Sequence, residues 1–401
     1  MSPHRLKLLY FTIEGVNSFA TTYFFFYLFF YLHDHYHFGN AQNLAVCAAH
    51  GFIYTFSAWF GGRFSQRVGY FVALPLGLGI MAVGLLTAHG SGSLAGLLPS
   101  LAVWTFGVCF TWPTLEALVC EGEASTRLQR MVGIYNLVWA GTAAVAYFVG
   151  GAVKETLGDQ SIFWLPALLH VLQLGVVLWL KRQVPAAAGR ARMLPPTLSS
   201  SKETPERHPA TSTLRPKAFL MMAWLANPFA YVAINAAAPV IPVLAERLHL
   251  STRQAGFFCS LWFFARLGTF AWLWQWTGWH YRFRWLLSAF VLMVLSFALM
   301  LLSSHIAVIG LAQIGFGYGV GLIYYSSLFY SMDVGDTKGE HGGIHEAMIG
   351  SGVFAGAAVG SAGQYLLGGQ SSSTWVVSAL LVMGLASLLW LRKRSKAWQI
   401  P

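Results

Sequence analysis

The chain has 401 residues, 56% of them hydrophobic and only 10% charged, with a net charge of +11. A soluble chain of this length carries about 25% charged residues, so most of this surface faces something other than water. The four cysteines, Cys47, Cys109, Cys120 and Cys259, lie in or beside apolar segments at no paired spacing, which gives no sign of a disulfide framework or a zinc site.

Apolar segments of about 20 residues, the length that crosses a bilayer as helix, recur along the chain. Twelve are expected, at 6–32, 41–61, 70–88, 94–115, 131–153, 160–180, 218–245, 255–276, 285–303, 306–330, 345–367 and 375–391. Arg5 and Lys7 precede the first, but it is too long for a signal-peptide core and no small-residue cleavage site follows. It is read as a retained helix. Glu14, Asn17, Ser18 and Thr21 recur on it at i, i+3, i+4 and i+7, which is one helical face, and the run Tyr23-Phe24-Phe25-Phe26-Tyr27 is aromatic all round. After it, His33, His35 and His37 alternate, and an extended strand would project all three to one side, as a metal site needs. With no further ligand nearby in sequence, a solvated loop is the default and no metal is expected.

Span two holds His50 on one face with Tyr54 and Ser57, and span six holds His170; each is read as a packing histidine. Span four carries Thr105, Cys109, Trp112 and Glu116 on one face, with Pro113 as a kink. Span seven carries Asn227, Tyr231 and Asn235 at steps of four, with Pro228, Pro239 and Pro242. Span ten carries Gln313, Gly317, Gly321 and Tyr324, and span eleven repeats glycine at 352, 356, 360 and 363, a strip that admits a close neighbour.

The segment 181–217 between spans six and seven has no aromatic residue, six prolines and eight basic residues against two acids, Glu203 and Glu206. It cannot bury enough apolar area to offset chain entropy and is read as a disordered linker between bundles at 1–180 and 218–401. With the N-terminus in the cytoplasm, 21 of the 25 lysines and arginines fall on the cytoplasmic side. Lys154, Arg247 and Arg253 fall outside, and Arg266 lies within a span. That bias sets both termini and the linker in the cytoplasm, and it explains the basic charge without nucleic acid. The expected fold is all-α integral membrane, twelve transmembrane helices as two six-helix pseudo-repeats around a central cavity, in the inner or plasma membrane.

The loop after span two reads Gly62-Arg63-Phe64-Ser65-Gln66-Arg67-Val68-Gly69-Tyr70. Together with the six-plus-six plan, it resembles the signature loop of the major facilitator superfamily at Gly62, Arg67 and Gly69. Gln66 replaces the usual Asp and Tyr70 a usual basic residue. A weaker echo follows in the second half at Trp276-Thr277-Gly278-Trp279-His280-Tyr281-Arg282. The resemblance implies that spans one, four, seven and ten line the cavity. It also implies that Gly62, Gln66, Arg67 and Gly69 gate it against the start of span eleven, near Glu346. Glu116, Glu121 and Glu123 then fall at the cytoplasmic face as partners for Arg67. Gly133, Gly141, Gly150 and Gly151 in span five echo an antiporter pattern that lacks its proline.

An ionised group inside the bilayer costs about 2.5–3.5 kcal/mol even on the lenient insertion scale, so each needs a reason. Glu14 reads either as a proton carrier or as half of a structural ion pair with Arg266. Arg266 reads as a counter-charge for an anionic substrate group, as a partner that retunes Glu14, or as the other half of that pair. His345 and Glu346 open span eleven in this reading, where an acid in the first turn suits the helix dipole. The substrate and proton pathway is expected to run past Glu14, Asn17, Thr21, Trp112, Glu116, Asn227, Tyr231, Asn235, Arg266, Gln313 and Tyr324.

The chain therefore reads as a secondary active transporter of a small organic solute, proton-coupled and monomeric, without cofactor or catalytic residues. No phosphate-binding Gly-Lys-Ser/Thr loop points to ATP. Sodium coupling, facilitated diffusion and a membrane receptor on the same scaffold are the alternatives. A receptor would need a signalling domain for which the short linker and tails leave no room, and an intramembrane enzyme would need a motif the sequence does not show. The topology predicts that single cysteines at positions 200 and 396 resist an impermeant thiol reagent added outside intact cells, while positions 34 and 159 react. External labelling at position 200 would refute the two-bundle scheme.

Overall fold

The computed structural model describes residues 3–121, 123, 125–183, 216–334, 338–369 and 371–397. Most of the expected linker, at 184–215, lies outside them. The first six helices are α1 (Pro3–Tyr36), α2 (Asn40–Val68), α3 (Tyr70–Ser91), α4 (Leu94–Cys120), α5 (Ser125–Leu157) and α6 (Ser161–Gln183). The second set is α7 (Pro216–Ala237), α8 (Ile241–Arg247), α9 (Thr252–Cys259), α10 (Leu261–Gln275), α11 (Phe283–Leu302), α12 (Ile306–Val334), α13 (Lys338–Leu367) and α14 (Ser372–Ala397).

Two expected spans are broken. The seventh changes at Ala238–Val240 to a 3₁₀ turn before α8. Pro239 and Pro242 each lack an N–H, so an unbroken α-helical ladder cannot run through this stretch. The eighth divides at Ser260, whose hydroxyl donates to the carbonyl of Phe257 at 2.9 Å. With α7–α8 and α9–α10 each counted as one rod, the described residues form twelve rods. Ten are long and apolar enough to cross a membrane. The other two, α1 and α13, have 34 and 30 residues, ample for crossing. They are the two that carry Glu14 and Glu346.

Each set packs mainly within itself, α3 on α4 and α6, α1 on α5, and α12 on α10 and α11. Two seams join the sets: α2 lies along α13, and α5 lies along α9 and α10. On α13, Gly352 and Gly356 sit against the carbonyls of Pro228 and Val232 of α7, where a Cβ would overlap them. The aromatic run of α1 turns Tyr23, Phe24 and Tyr27 into the first set. Tyr27 donates to the Tyr147 carbonyl at 2.5 Å, and Phe24 meets Trp104 edge-on at 4.6 Å.

The end of the bundle away from the termini is fastened across the seams. Asn43 donates to the carbonyl of Pro239 at 3.1 Å, in the broken stretch, and Ser361 donates to the Ala41 carbonyl at 2.9 Å. Arg253 meets Glu155 with its side chain at 3.1 Å and its backbone N–H at 2.8 Å. Lys154, assigned to an outer loop, is 4% exposed and bridges Asp34 at 2.9 Å and Asp159 at 2.5 Å. It ties the end of α1 to the α5–α6 turn.

The histidine-rich stretch is not an extended strand. α1 continues through Tyr36, so His33 and His35 are helical and diverge. His33 Nδ1 pairs with the carbonyl of Phe38 at 2.8 Å and its Nε2 lies 3.6 Å from Glu246, whereas His35 stacks on Tyr31 and faces Asp159. Among the described residues no three His, Cys, Asp or Glu side chains converge as a metal site needs.

Gly352→Leu overpacks the α7–α13 contact at a cost of about 1–3 kcal/mol, so the purified variant should melt several degrees below wild type. Gly175 has open space where a Cβ would lie, and Gly175→Leu should leave the melting temperature unchanged.

Candidate functional site

A cavity of about 160 Å³ lies between the two sets of helices. α1 delivers Glu14, Ser18 and Thr21 to it, α4 delivers Trp112 and Glu116, α7 delivers Tyr231 and Asn235, α10 delivers Arg266, and α12 delivers Tyr324. One helical face from each of these elements thus converges, as the spacing on α1, α4 and α7 predicts.

Three carboxylates share the cavity. Glu14 is fully buried; Oε1 accepts from the Ser18 hydroxyl at 2.7 Å, and Oε2 has no partner. Tyr135 of α5 lies beside it. Glu346 accepts from the Tyr54 hydroxyl at 2.6 Å, a hydrogen bond that joins α2 to α13 at the heart of the bundle. Glu116 completes the group. Two expectations are corrected here. Glu346 does not sit in a first turn, because α13 already begins at Lys338 and carries it two turns into the helix. Glu116, expected both in the pathway and as a partner for Arg67, lines the cavity and forms no ion pair with Arg67.

Arg266 is 6% exposed and forms no ion pair with Glu14. Its guanidinium lies over the rings of Trp139 at 4.7 Å, Trp262 at 5.0 Å and Phe263 at 5.0 Å. One of the two sequence readings pairs these ions as the obvious opposite charges, but packing gives the arginine aromatic faces instead. Gly317 and Gly321 of α12 make room for this segment: a Cβ at Gly317 would strike the carbonyl of Trp262, and one at Gly321 would crowd the Arg266 stem.

Three expected pathway residues do not line the cavity. Asn17 points to Thr111 of α4, its amide nitrogen 3.3 Å from the hydroxyl. Asn227 and Gln313 are buried elsewhere, both atoms of each amide without a partner. Conversely, Tyr54, Tyr135, Trp139, Trp262 and Phe263 line it and were not singled out as pathway residues. Tyr135 and Trp139 stand four residues apart on α5, a signal within reach of the same periodicity test. His50, read as packing, also lines the cavity, its Nδ1 2.8 Å from the Thr105 hydroxyl.

The signature loop occupies the last turn and cap of α2. Gly69 has φ of 94°, a conformation that favours glycine, and its N–H closes the helix on the Ser65 carbonyl at 2.9 Å. Gly62 is buried, while Gln66 and Arg67 are exposed. Arg67 has no carboxylate in ion-pair range among the described residues; Glu123 instead meets Lys7 at 3.5 Å, and Lys7 also caps α4 by donating to the carbonyl of Glu121 at 2.6 Å. A second cavity, about 290 Å³, opens near the same end between α5 and α10, lined in part by Arg130, Asn136, Trp274 and His280.

Twelve rods, two seams and an aromatic-walled cavity holding three carboxylates and an arginine form the architecture of a membrane transport protein. The Major Facilitator Superfamily model matches residues 11–340, and the chain belongs to that superfamily. Among solved structures, the nucleoside transporter NupG is 13% identical, with 97% of this chain and 99% of that one covered and a TM-score of 0.70. A POT family transporter in complex with 5-aminolevulinic acid is 13% identical, with 98% of this chain and 97% of that one covered and a TM-score of 0.70. The human organic anion transporter MFSD10 is 15% identical, with 97% and 100% covered and a TM-score of 0.66. At these identities the likeness is one of fold. No curated protein matches the sequence.

The fastened end generates a prediction. An exposed ion pair contributes at most about 1 kcal/mol, so Arg253→Ala should raise the population open at that end up to about fivefold. In a background without native cysteines, a cysteine at Asn235 should react correspondingly faster with an impermeant reagent applied from that side. An unchanged rate would show that Arg253 and Glu155 do not hold this end closed.

Proposed function

We propose that this protein is a proton-coupled secondary transporter of a small organic solute that works by alternating access. The observation that carries the reading is the meeting of Glu14, Glu116 and Glu346, from α1, α4 and α13, in one cavity between the two helix sets. An ionised carboxylate at mid-membrane costs about 2.5–3.5 kcal/mol, and protonation removes that cost. Carboxylates whose surroundings change as the halves rock therefore bind protons on one side and release them on the other. Glu346 is bound across the seam by Tyr54, so its hydrogen bond must change when that seam opens.

The reading divides the chain into bundles at 1–180 and 218–401, rocking as units in the inner or plasma membrane with both termini cytoplasmic. The charge bias supports that orientation. The end fastened by Asn43, Glu155 and Ser361 then faces outward, and Gly62, Gln66, Arg67 and Gly69 belong to the inner gate. The transporting unit is a monomer, since one chain supplies both walls of the cavity.

Ligands come from a thermal-shift screen of the purified protein against metabolites, and transport follows in proteoliposomes. Glu14→Gln and Glu346→Gln should each bring the accumulation ratio down to about one while substrate binding persists. Collapse of the proton gradient should do the same to wild type. Accumulation that persists in Glu14→Gln assigns that residue a structural role, and accumulation that needs sodium but no proton gradient overturns proton coupling.

A further inference from the structure

Arg266 is a buried charge with no counter-charge in ion-pair range among the described residues. Its Nε is fully buried without a hydrogen-bond partner. Breaking a buried charge pair is strongly destabilising, so a bare buried guanidinium needs a reason. The ring faces of Trp139, Trp262 and Phe263 offset part of the cost by cation–π attraction. They leave its planar fork of donors unused, and that fork matches a carboxylate with two parallel hydrogen bonds.

The surroundings restrict what can bring that carboxylate. The cavity is walled by flat rings, Trp112, Trp139, Tyr231, Trp262, Phe263 and Tyr324 among them. Such a pocket suits a planar apolar body, with a few polar groups to fix its orientation. Its polarity is also divided. Tyr231 and Tyr324 share the cavity wall with Arg266, and no ion pair joins Arg266 to Glu14, Glu116 or Glu346. The acid cluster thus leaves the cation without a salt bridge.

We propose that Arg266 is the anchor of a binding site for planar aromatic monocarboxylates, with the ring held among Trp139, Trp262 and Tyr324. This deepens the transporter reading and rests on it, since it names that cavity's substrate class: the anion docks on Arg266 while the acid cluster remains free for protons. It also gives the cavity a rule of selection. A neutral amide of the same shape cannot compensate the guanidinium, and an amine adds repulsion to it.

Equilibrium binding to the full-length, detergent-purified protein tests this without a gradient, so a failure of the site and a failure of proton coupling are separately visible. The probes are benzoate and 2-naphthoate, with their carboxamides and with benzylamine. At least one carboxylate should bind ten-fold or more tighter than its own amide and than benzylamine. Arg266→Gln should erase that preference and leave the amides unchanged, and Arg266→Lys, which keeps the charge without the fork, should recover it in part. Discrimination by wild type stands even where a variant fails to fold. Carboxylates that bind no better than their amides, including no binding of either, would overturn the proposal. So would preference for benzylamine, or a preference that survives in Arg266→Gln.

Discussion

An ionised side chain within a bilayer has no water to turn to, so the protein must supply its surroundings. This constraint explains the placement of the chemistry. Glu14, Glu116, Glu346 and Arg266 lie on four different helices, and all four face the cavity between the two helix sets. The rods that bear two of the acids, α1 and α13, are the ones whose polar content takes them below the hydropathy of a membrane span. They are sheltered by position: α13 lies along α2 and α7, and α1 along α5 and α6. Serine, tyrosine and ring faces then stand where water would.

The same arrangement bears on the proposed alternating access. The polar contacts between the two helix sets stand at discrete points, such as Asn43 with Pro239, Arg253 with Glu155 and Tyr54 with Glu346, amid seams that also carry apolar contacts such as Tyr147 with Phe263 and Phe148 with Phe257. Each contributes little enough to be exchanged for another contact. The apolar packing within a set is continuous, from the Phe24–Trp104 contact to the strip of α13 against α7. In the proposed alternating-access cycle the polar contacts are exchanged as the halves rock, and a cavity on the seam is where a ligand or a proton biases the balance between states.

Much of this plan was legible along the sequence, because a bilayer imposes a length on every span and a helix imposes a period on every face. The stripe of Glu14, Ser18 and Thr21 therefore reached the cavity as expected, and so did Trp112, Tyr231 and Tyr324. What one sequence does not encode is the rotation of each helix against its neighbours. Asn17, Asn227 and Gln313 share a stripe with cavity residues yet turn into the packing. Glu346 was misplaced for another reason: hydropathy starts its helix at residue 345, whereas α13 begins at Lys338 in a polar, glycine-rich stretch with no apolar period. The pairing of Glu14 with Arg266 failed because charge complementarity says nothing about distance.

The most direct test of the account is proton movement driven by substrate alone. Proteoliposomes that hold a pH-sensitive dye, with equal pH on both sides, receive an inward gradient of a transported ligand. If the three cavity carboxylates couple the two fluxes, the lumen of wild-type vesicles changes pH as substrate enters, and vesicles with Glu14, Glu116 and Glu346 all replaced by glutamine show no such change. Substrate entry into wild-type vesicles at constant lumenal pH, with a proton ionophore making no difference to its rate, would contradict it.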